Sequence, residues 1–453
     1  MTETINELRT AGPLFLPGGQ DYDEERTGFQ RSGAHRPTVI AGATGEDDVR
    51  AAVEYATTRG QQVTVQAGGH GLNRPLDGGV LISTRRMAGV RVDPSARTAW
   101  VEAGASWQQV IDAAAPHGLA PLSGSAPGVG AVSYTLGGGI GLLSRRYGFA
   151  ADHVRSLQVV TADGRLRQVT PHSEPDLYWA LRGGGGNFGV VTGMEIDLMP
   201  VRHLYGGGLF IDAEQAPDVL AGWQRWTETV PDEMTSAVAM LPFPDLPMVP
   251  QALRGRHVAQ LQIAYTGSVA DGRQLVEPLR ALGPILRDTL RELPYSESGT
   301  VFDEPDVPHA YCSANRLLSE LDPAALAALT TLAGPSAPVL CVVGLRHLGG
   351  ALAGPPRVPS AVGHRRAAYS LGVLSLVEPG AEDTVRAVHG DAIAPFAPAT
   401  LGRLLNFSFG PLNEEEVRSA YEPHDYRRLT ELKARYDPRA TLVSNHPIPA
   451  ARR

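Results

Sequence analysis

Lysine is almost missing from this chain of 453 residues: Lys433 is the only one, and arginine supplies every other basic side chain. That bias reads as codon usage in a GC-rich genome and not as chemistry. Basic residues are also outnumbered, 40 against 48 acidic ones, for a net charge of −8. A general nucleic-acid binder needs a cationic excess to neutralise phosphates, so that class is excluded. Cysteine is scarce as well. Cys312 and Cys341 fit no metal-ligand pair. They could form one disulfide, although free thiols in a reducing compartment are the simpler expectation. No HExxH or close carboxylate–histidine cluster occurs among the 13 histidines, so no metal is expected. No uninterrupted apolar run reaches membrane-span length, and the first residues lack the basic-then-apolar order of a secretory signal. A cytoplasmic protein without a membrane partner is the expectation; oligomeric state is left open.

What is present is glycine, placed in turns. The segment 63–72, VTVQAGGHGL, ends an apolar β-type run in two glycines and a histidine. That pattern is a strand entering a tight turn, where glycine lets backbone N–H groups approach an anion without a Cβ in the way. A histidine at the tip faces either a ligand or merely solvent, and the tripeptide alone does not decide between them.

Around it the chain alternates strands and helices. TVIAGA reads as a buried strand, 46–59 as a helix with Val49, Val53 and Ala56 on one face, and 106–117 as a second helix stopped by Gly118. The richest glycine block, 124–154, carries Gly137, Gly138, Gly139 and Gly141 ahead of a short basic segment. Such a loop offers N–H groups to a pyrophosphate or another polar cofactor group. It is neither a Walker loop nor a convincing dinucleotide fingerprint. A hairpin with an Asp163-Gly164 turn follows, then RGGGGNFGVVTGMEIDL, where four glycines precede Asn187. Beyond residue 205 the texture changes to helices and strands joined by proline-rich loops, which fits an antiparallel sheet covered by helices. A helix at 425–436 and a terminal segment with Asn445 and His446 close the chain, and this end is expected to return to the first domain.

The blocks VQAGGHG (65–71), SGSAPGVGAVSYTLGGGIGLLSRRYGFAADHV (123–154), DLYWALRGGGGNFGVVT (176–192) and KARYDPRATLVSNHPIP (433–449) occur together in one order. In this the chain resembles the berberine-bridge-enzyme group of FAD-linked oxidases, within the vanillyl-alcohol-oxidase fold family. The resemblance implies an α+β protein of two domains. An FAD-binding domain (1–204) would precede a substrate domain (205–400), with a C-terminal segment (401–453) returning to the first. It implies FAD bonded to His70, with Gln66, Ala67, Gly68, Gly69 and Gly71 around it; Gln66 stands where the group usually has arginine. Ser125, Ala126, Val129, Gly130 and Tyr134 would line the flavin, Ala126 standing where doubly linked members carry cysteine, so the link is through His70 only. Val129 matches the small position that admits oxygen. Gly138, Gly139, Gly141, Asn187, Gly189, Val190, Val191 and Asn445 complete the implied cofactor site. The catalytic base of the group is the tyrosine of an Asn-Tyr pair, read here as Asn406-Phe407. Phenylalanine cannot take a proton, which makes Tyr369 the chief substitute candidate, with Tyr311 and His364 behind it. If none serves, the substrate ionises easily, as a phenol does. The implied activity is oxidation of a mid-sized aromatic or polyketide-like metabolite with O2 as acceptor. The alternatives are a monooxygenase or cyclase on the same scaffold, and a flavin carrier without catalysis.

Overall fold

The computed structural model describes residues 7–451. Two sheets organise the first part of the chain. Strands β1 (Leu14–Phe15), β2 (Val39–Gly42), β3 (Val63–Gln66) and β4 (Val80–Ser83) form a small sheet ordered β1-β2-β4-β3. Its inner pairs are parallel, as the crossover helix Glu46–Thr58 between β2 and β3 requires. Val49, Val53 and Ala56 are buried on that helix, and Asp48 ties its first turn to the chain entering the sheet.

The second sheet is ordered β5-β6-β9-β7-β8, from β5 (Val90–Asp93), β6 (Thr98–Glu102), β7 (Val154–Val160), β8 (Leu166–Val169) and β9 (Val190–Asp197). The helix Trp107–Ala114 is held by a Ser106–Gln109 capping box and ends through a short 3-10 turn at Gly118, whose φ is 67°. It packs with the helices Ala131–Leu136 and Pro175–Gly184 in the largest core. The C-terminal helix Pro423–Tyr436 joins the same core through Tyr426, Leu429, Leu432 and Tyr436. Beyond it the backbone pairs with β3: Val63 N–H donates to Thr441 O, and Val443 N–H to Val63 O.

The second body is one antiparallel sheet. Strands β10 (His203–Asp212), β11 (Met234–Pro242), β12 (His257–Tyr265), β13 (Ile285–Asp288), β14 (Arg291–Pro294), β15 (Tyr311–Leu318), β16 (Val342–His347), β17 (Tyr369–Leu376) and β18 (Thr400–Gly402) order as β13-β10-β12-β11-β16-β17-β15-β18, with β14 also on β10. The boundary expected at 400/401 falls inside β18. One face is apolar and covered by the helices Val219–Thr227, Val269–Arg280, Pro323–Leu332 and Glu382–Ile393, which bury Trp223, Leu279, Leu326 and Ile393 against Leu261, Leu345 and Val373. Each such side chain contributes about 1.5–3 kcal/mol on burial, so this face fixes the register of the whole sheet.

The other face is different. Across its middle, register places Gln260, Ala239, Gly344, Gly372 and Asn315 in one row, and Gln262, Ala237, Arg346 and Ser370 in the next. Small residues at the centre leave space above the sheet instead of filling it. No helix among the described residues is long and apolar enough to cross a membrane, and both cysteines are free thiols.

Candidate FAD and substrate site

That space is a cavity of about 1360 Å³, walled on one side by the turns of the first part of the chain and floored by the open sheet face. It exceeds the ordinary range for one small ligand, about 300–1,000 Å³, and so has room for a cofactor and a substrate together. Four chain segments meet there: 63–73, 124–137, 183–191 and 442–446.

The GGH turn is built to present donors. Gly69 sits at φ +70°, and a Cβ on it would lie 2.6 Å from Gly28 Cα, so only glycine lets the two backbones touch. The turn's carbonyls are engaged: Gly68 O accepts from Phe29 N–H, Gly69 O from Gln30 N–H, and His70 O from the Tyr311 hydroxyl at 2.6 Å. Among the described residues, no protein acceptor meets the N–H groups of Gly68, Gly69, His70 or Gly71. Those donors remain for a ligand. The His70 ring stacks on Phe29 with centroids 4.1 Å apart. Burial, helped by the nearby His309, pushes its pKa down to about 4, so the ring is neutral at ordinary pH. Its Nδ1 is buried and has no hydrogen-bond partner. The Nδ1 atoms of His347, His389 and His446 are likewise buried and unpartnered; what sets His70 apart is its place at the end of the donor-presenting turn on the cavity wall.

The structure brings most of the expected site residues to this cavity. Gln66, Ala67, Gly68, Gly69, His70, Gly71, Ser125, Ala126, Val129, Gly130, Tyr134, Asn187, Gly189, Val190, Val191, Asn445, Asn406 and Phe407 all line it. Several are engaged in holding the walls. Asn187 donates to Gly184 O and His446 O and accepts from Ile448 N–H, clamping the C-terminal segment. Asn445 Oδ1 accepts from Asn73 N–H, and the Asn406 amide donates to Tyr134 O. Gln66 packs beneath Gly69 and donates to Arg26 O.

Two expectations are corrected. Gly138, Gly139 and Gly141 do not line the cavity. A Cβ on Gly139, which sits at φ +76°, would strike the Tyr134 ring and Ala150; Gly141 backs onto the Ser123 carbonyl, and Gly138 faces Val362 and Phe149. These glycines allow close packing behind the site and are no anion cradle. Tyr369 is the second correction. It sits on the helical face of the sheet, its hydroxyl 2.7 Å from Thr227 Oγ1 and its ring against Trp223. Side chains alternate along β17, so Ser370 and Gly372 face the cavity and Tyr369 faces away. His364 also lies elsewhere, its Nε2 3.0 Å from Ser419 O. Tyr311 does reach the site, but burial raises the pKa of its hydroxyl, which is already donated to His70 O.

Sequence reasoning passed over Arg346, Gln260, Gln262, Phe302 and Phe29, all on the cavity wall. The signal for the glutamines was available: in HVAQLQIAY two polar residues stand two apart in an otherwise apolar strand.

Known proteins resemble this chain in sequence and in fold. Residues 37–170 match the family model described as FAD binding domain. An FAD-linked oxidoreductase of Dictyostelium discoideum is 26% identical over 99% of this chain and 97% of its own length. The (R)-6-hydroxynicotine oxidase of Paenarthrobacter nicotinovorans is 29% identical over 97% of this chain and 98% of its own. Among solved structures, glucooligosaccharide oxidase from Acremonium strictum, described with a 6-S-cysteinyl, 8α-N1-histidyl FAD, superposes with a TM-score of 0.84 at 20% identity, covering 97% of this chain and 98% of that one. The fold is α+β and is the one these solved oxidases share. Residues 37–170 thus carry an FAD-binding-domain match, and over nearly its whole length the chain is similar to proteins named as FAD-linked oxidoreductases and oxidases.

Proposed function

We propose that this enzyme is an oxidase that removes a hydride from a mid-sized aromatic or polyketide-like metabolite, with its FAD bonded through His70 alone and O2 as electron acceptor, yielding H2O2. The observation that carries the reading is His70 itself, buried and neutral, with Nδ1 unpartnered at the end of a turn whose N–H groups have no protein acceptor. When bound, FAD supplies the two-electron acceptor. The protein's part is to hold it and to seat a substrate against the open sheet face. The amides of Gly68, Gly69 and Gly71 would hold its anionic groups, and Val129 would leave oxygen a path. Ala126 carries no sulfur, so no second bond can form there.

Phe407 favours a second reading: with no hydroxyl beside Asn406 to take a proton, the scaffold also suits a monooxygenase or oxidative cyclase. Three measurements test the whole. Acid-denatured, washed protein should remain yellow, with the flavin on a peptide around residue 70; free FAD in the supernatant overturns single covalent attachment. Peroxide should match substrate consumed, whereas incorporation of labelled oxygen into product would favour the second reading.

A further inference from the structure

Arg346, near the middle of the open sheet face, is turned into the cavity; the other arginine on that face, Arg287 of the edge strand β13, lies over Phe210. Arg346 follows Val342 and Gly344 on the cavity side of β16, while Val343 and Leu345 lie in the helical core. Its guanidinium lies between two rings, 4.7 Å from the centre of Phe302 and 4.8 Å from that of Phe407. Five N–H donors are available on that group, and its hydrogen bonding is thin. Nη2 reaches Ser125 Oγ at 3.4 Å, and Glu304, the nearest carboxylate, stays at 3.8 Å. Burial works against its charge, which Glu304 and Tyr134 favour; these are the titratable groups acting on it. A cation whose side chain is only 20% exposed, with most donors free, is a group waiting for an anion. Phe407 matters here too, because the ring in the base's expected place is one of the two that position the guanidinium.

We propose that Arg346 binds the substrate through a conjugated oxyanion, a phenolate or enolate, and so replaces the missing base. The inference rests on the oxidase reading for the hydride step after binding. The acidic O–H of the substrate gives its proton to solvent as it docks, and the anion pairs with Arg346. With FAD bound as the two-electron acceptor, a C–H conjugated with that oxygen would leave as hydride, with its electron pair. An anion that loses a hydride is a neutral product, so no side chain has to accept a proton during the step.

The test uses the holoenzyme and 4-nitrophenol, whose ionisation is visible in difference absorbance. Wild-type protein should bind it as the phenolate, with the bound phenol ionising at lower pH than the free one. Arg346→Gln should weaken phenolate binding about tenfold or more, while binding of uncharged 4-nitrotoluene stays within about twofold of wild type. Arg346→Lys should keep part of the effect. Should Arg346→Gln fail to fold, Glu304→Gln, at a more exposed position, removes the competing carboxylate and should tighten phenolate binding several-fold. Binding of the neutral phenol by wild type, no binding at all, or equal phenolate affinity in Arg346→Gln overturns the proposal. So does unchanged or weaker phenolate binding in Glu304→Gln. Phenolate binding at Arg346 without flavin reduction or peroxide from any phenol would overturn the oxidase reading and leave this site standing. Peroxide production that ignores Arg346→Gln would do the reverse.

Discussion

Tyr369→Phe separates two accounts of a residue that sequence spacing offers as a base. In the structure Thr227 Oγ1 lies 2.6 Å from Gln224 O and donates to it, so the Tyr369 hydroxyl, 2.7 Å from the same oxygen, must be the donor in their pair. Burial raises the pKa of that hydroxyl further above neutrality, and its neighbours are Trp223 and the helical core. It has neither the position nor the acidity to exchange protons with a ligand. Removing it deletes one buried hydrogen bond and leaves Thr227 its other partner, a loss of about 1 kcal/mol. For a body of this size that lowers the unfolding midpoint by roughly 2–4 °C. The assay is a paired one: thermal melting of the holoenzyme, and the rate of flavin reduction under nitrogen with the best available substrate. The melt should shift by a few degrees and the reduction rate should stay within about twofold. General-base losses run to about 10²–10⁴-fold. A fall of that size, with flavin content intact, would refute the placement of Tyr369 away from the chemistry.

The remaining expectations concern the cavity wall and one buried carboxylate. Phe407→Leu keeps an apolar side chain but removes one of the two rings over Arg346. It should raise KM by roughly 2- to 30-fold, the value of a cation–π contact of about 0.5–2 kcal/mol, and change kcat little; a larger fall in kcat than rise in KM counts against it. Val129→Leu narrows the cavity wall and, on the proposed oxidase reading, should slow reoxidation by O2 more than reduction by substrate, read by stopped-flow; equal slowing of both half-reactions would remove Val129 as a gate. Asp48 is buried under the N-terminal segment, 3% exposed. Desolvation alone would raise its pKa, but the Thr44 hydroxyl and the N–H groups of Thr44, Ala11 and Gly12 hold it below the usual carboxylate value. A carboxyl depressed in the folded state stabilises the fold above its unfolded pKa, and that contribution disappears as pH falls through the folded value. Asp48→Ala should therefore lower stability at neutral pH and flatten the acid limb of the stability curve; an unchanged acid limb in urea titrations refutes it.

Much of this protein is legible in the chain because its signals are short-range. The GGH turn, the Ser106 start and Gly118 stop of one helix, and the Asp163-Gly164 hairpin each depend on a few adjacent residues and on steric rules that act locally. The sequence alone therefore determined the turn that presents His70, the absence of a sulfur at Ala126 and the absence of a hydroxyl at Phe407. What it did not determine is which way side chains point across the large sheet. Every second residue on a strand faces the opposite side, so a register error of one residue moves a side chain from cavity to core. Pairing of β16 with β11 and β17, strands far apart in the chain, is what aims Arg346 at the cavity and turns Tyr369 away from it. Packing made a similar decision at Gly138, Gly139 and Gly141: a glycine run reads alike whether it cradles a ligand or admits a neighbouring ring, and only the position of Tyr134 beside Gly139 distinguishes the two.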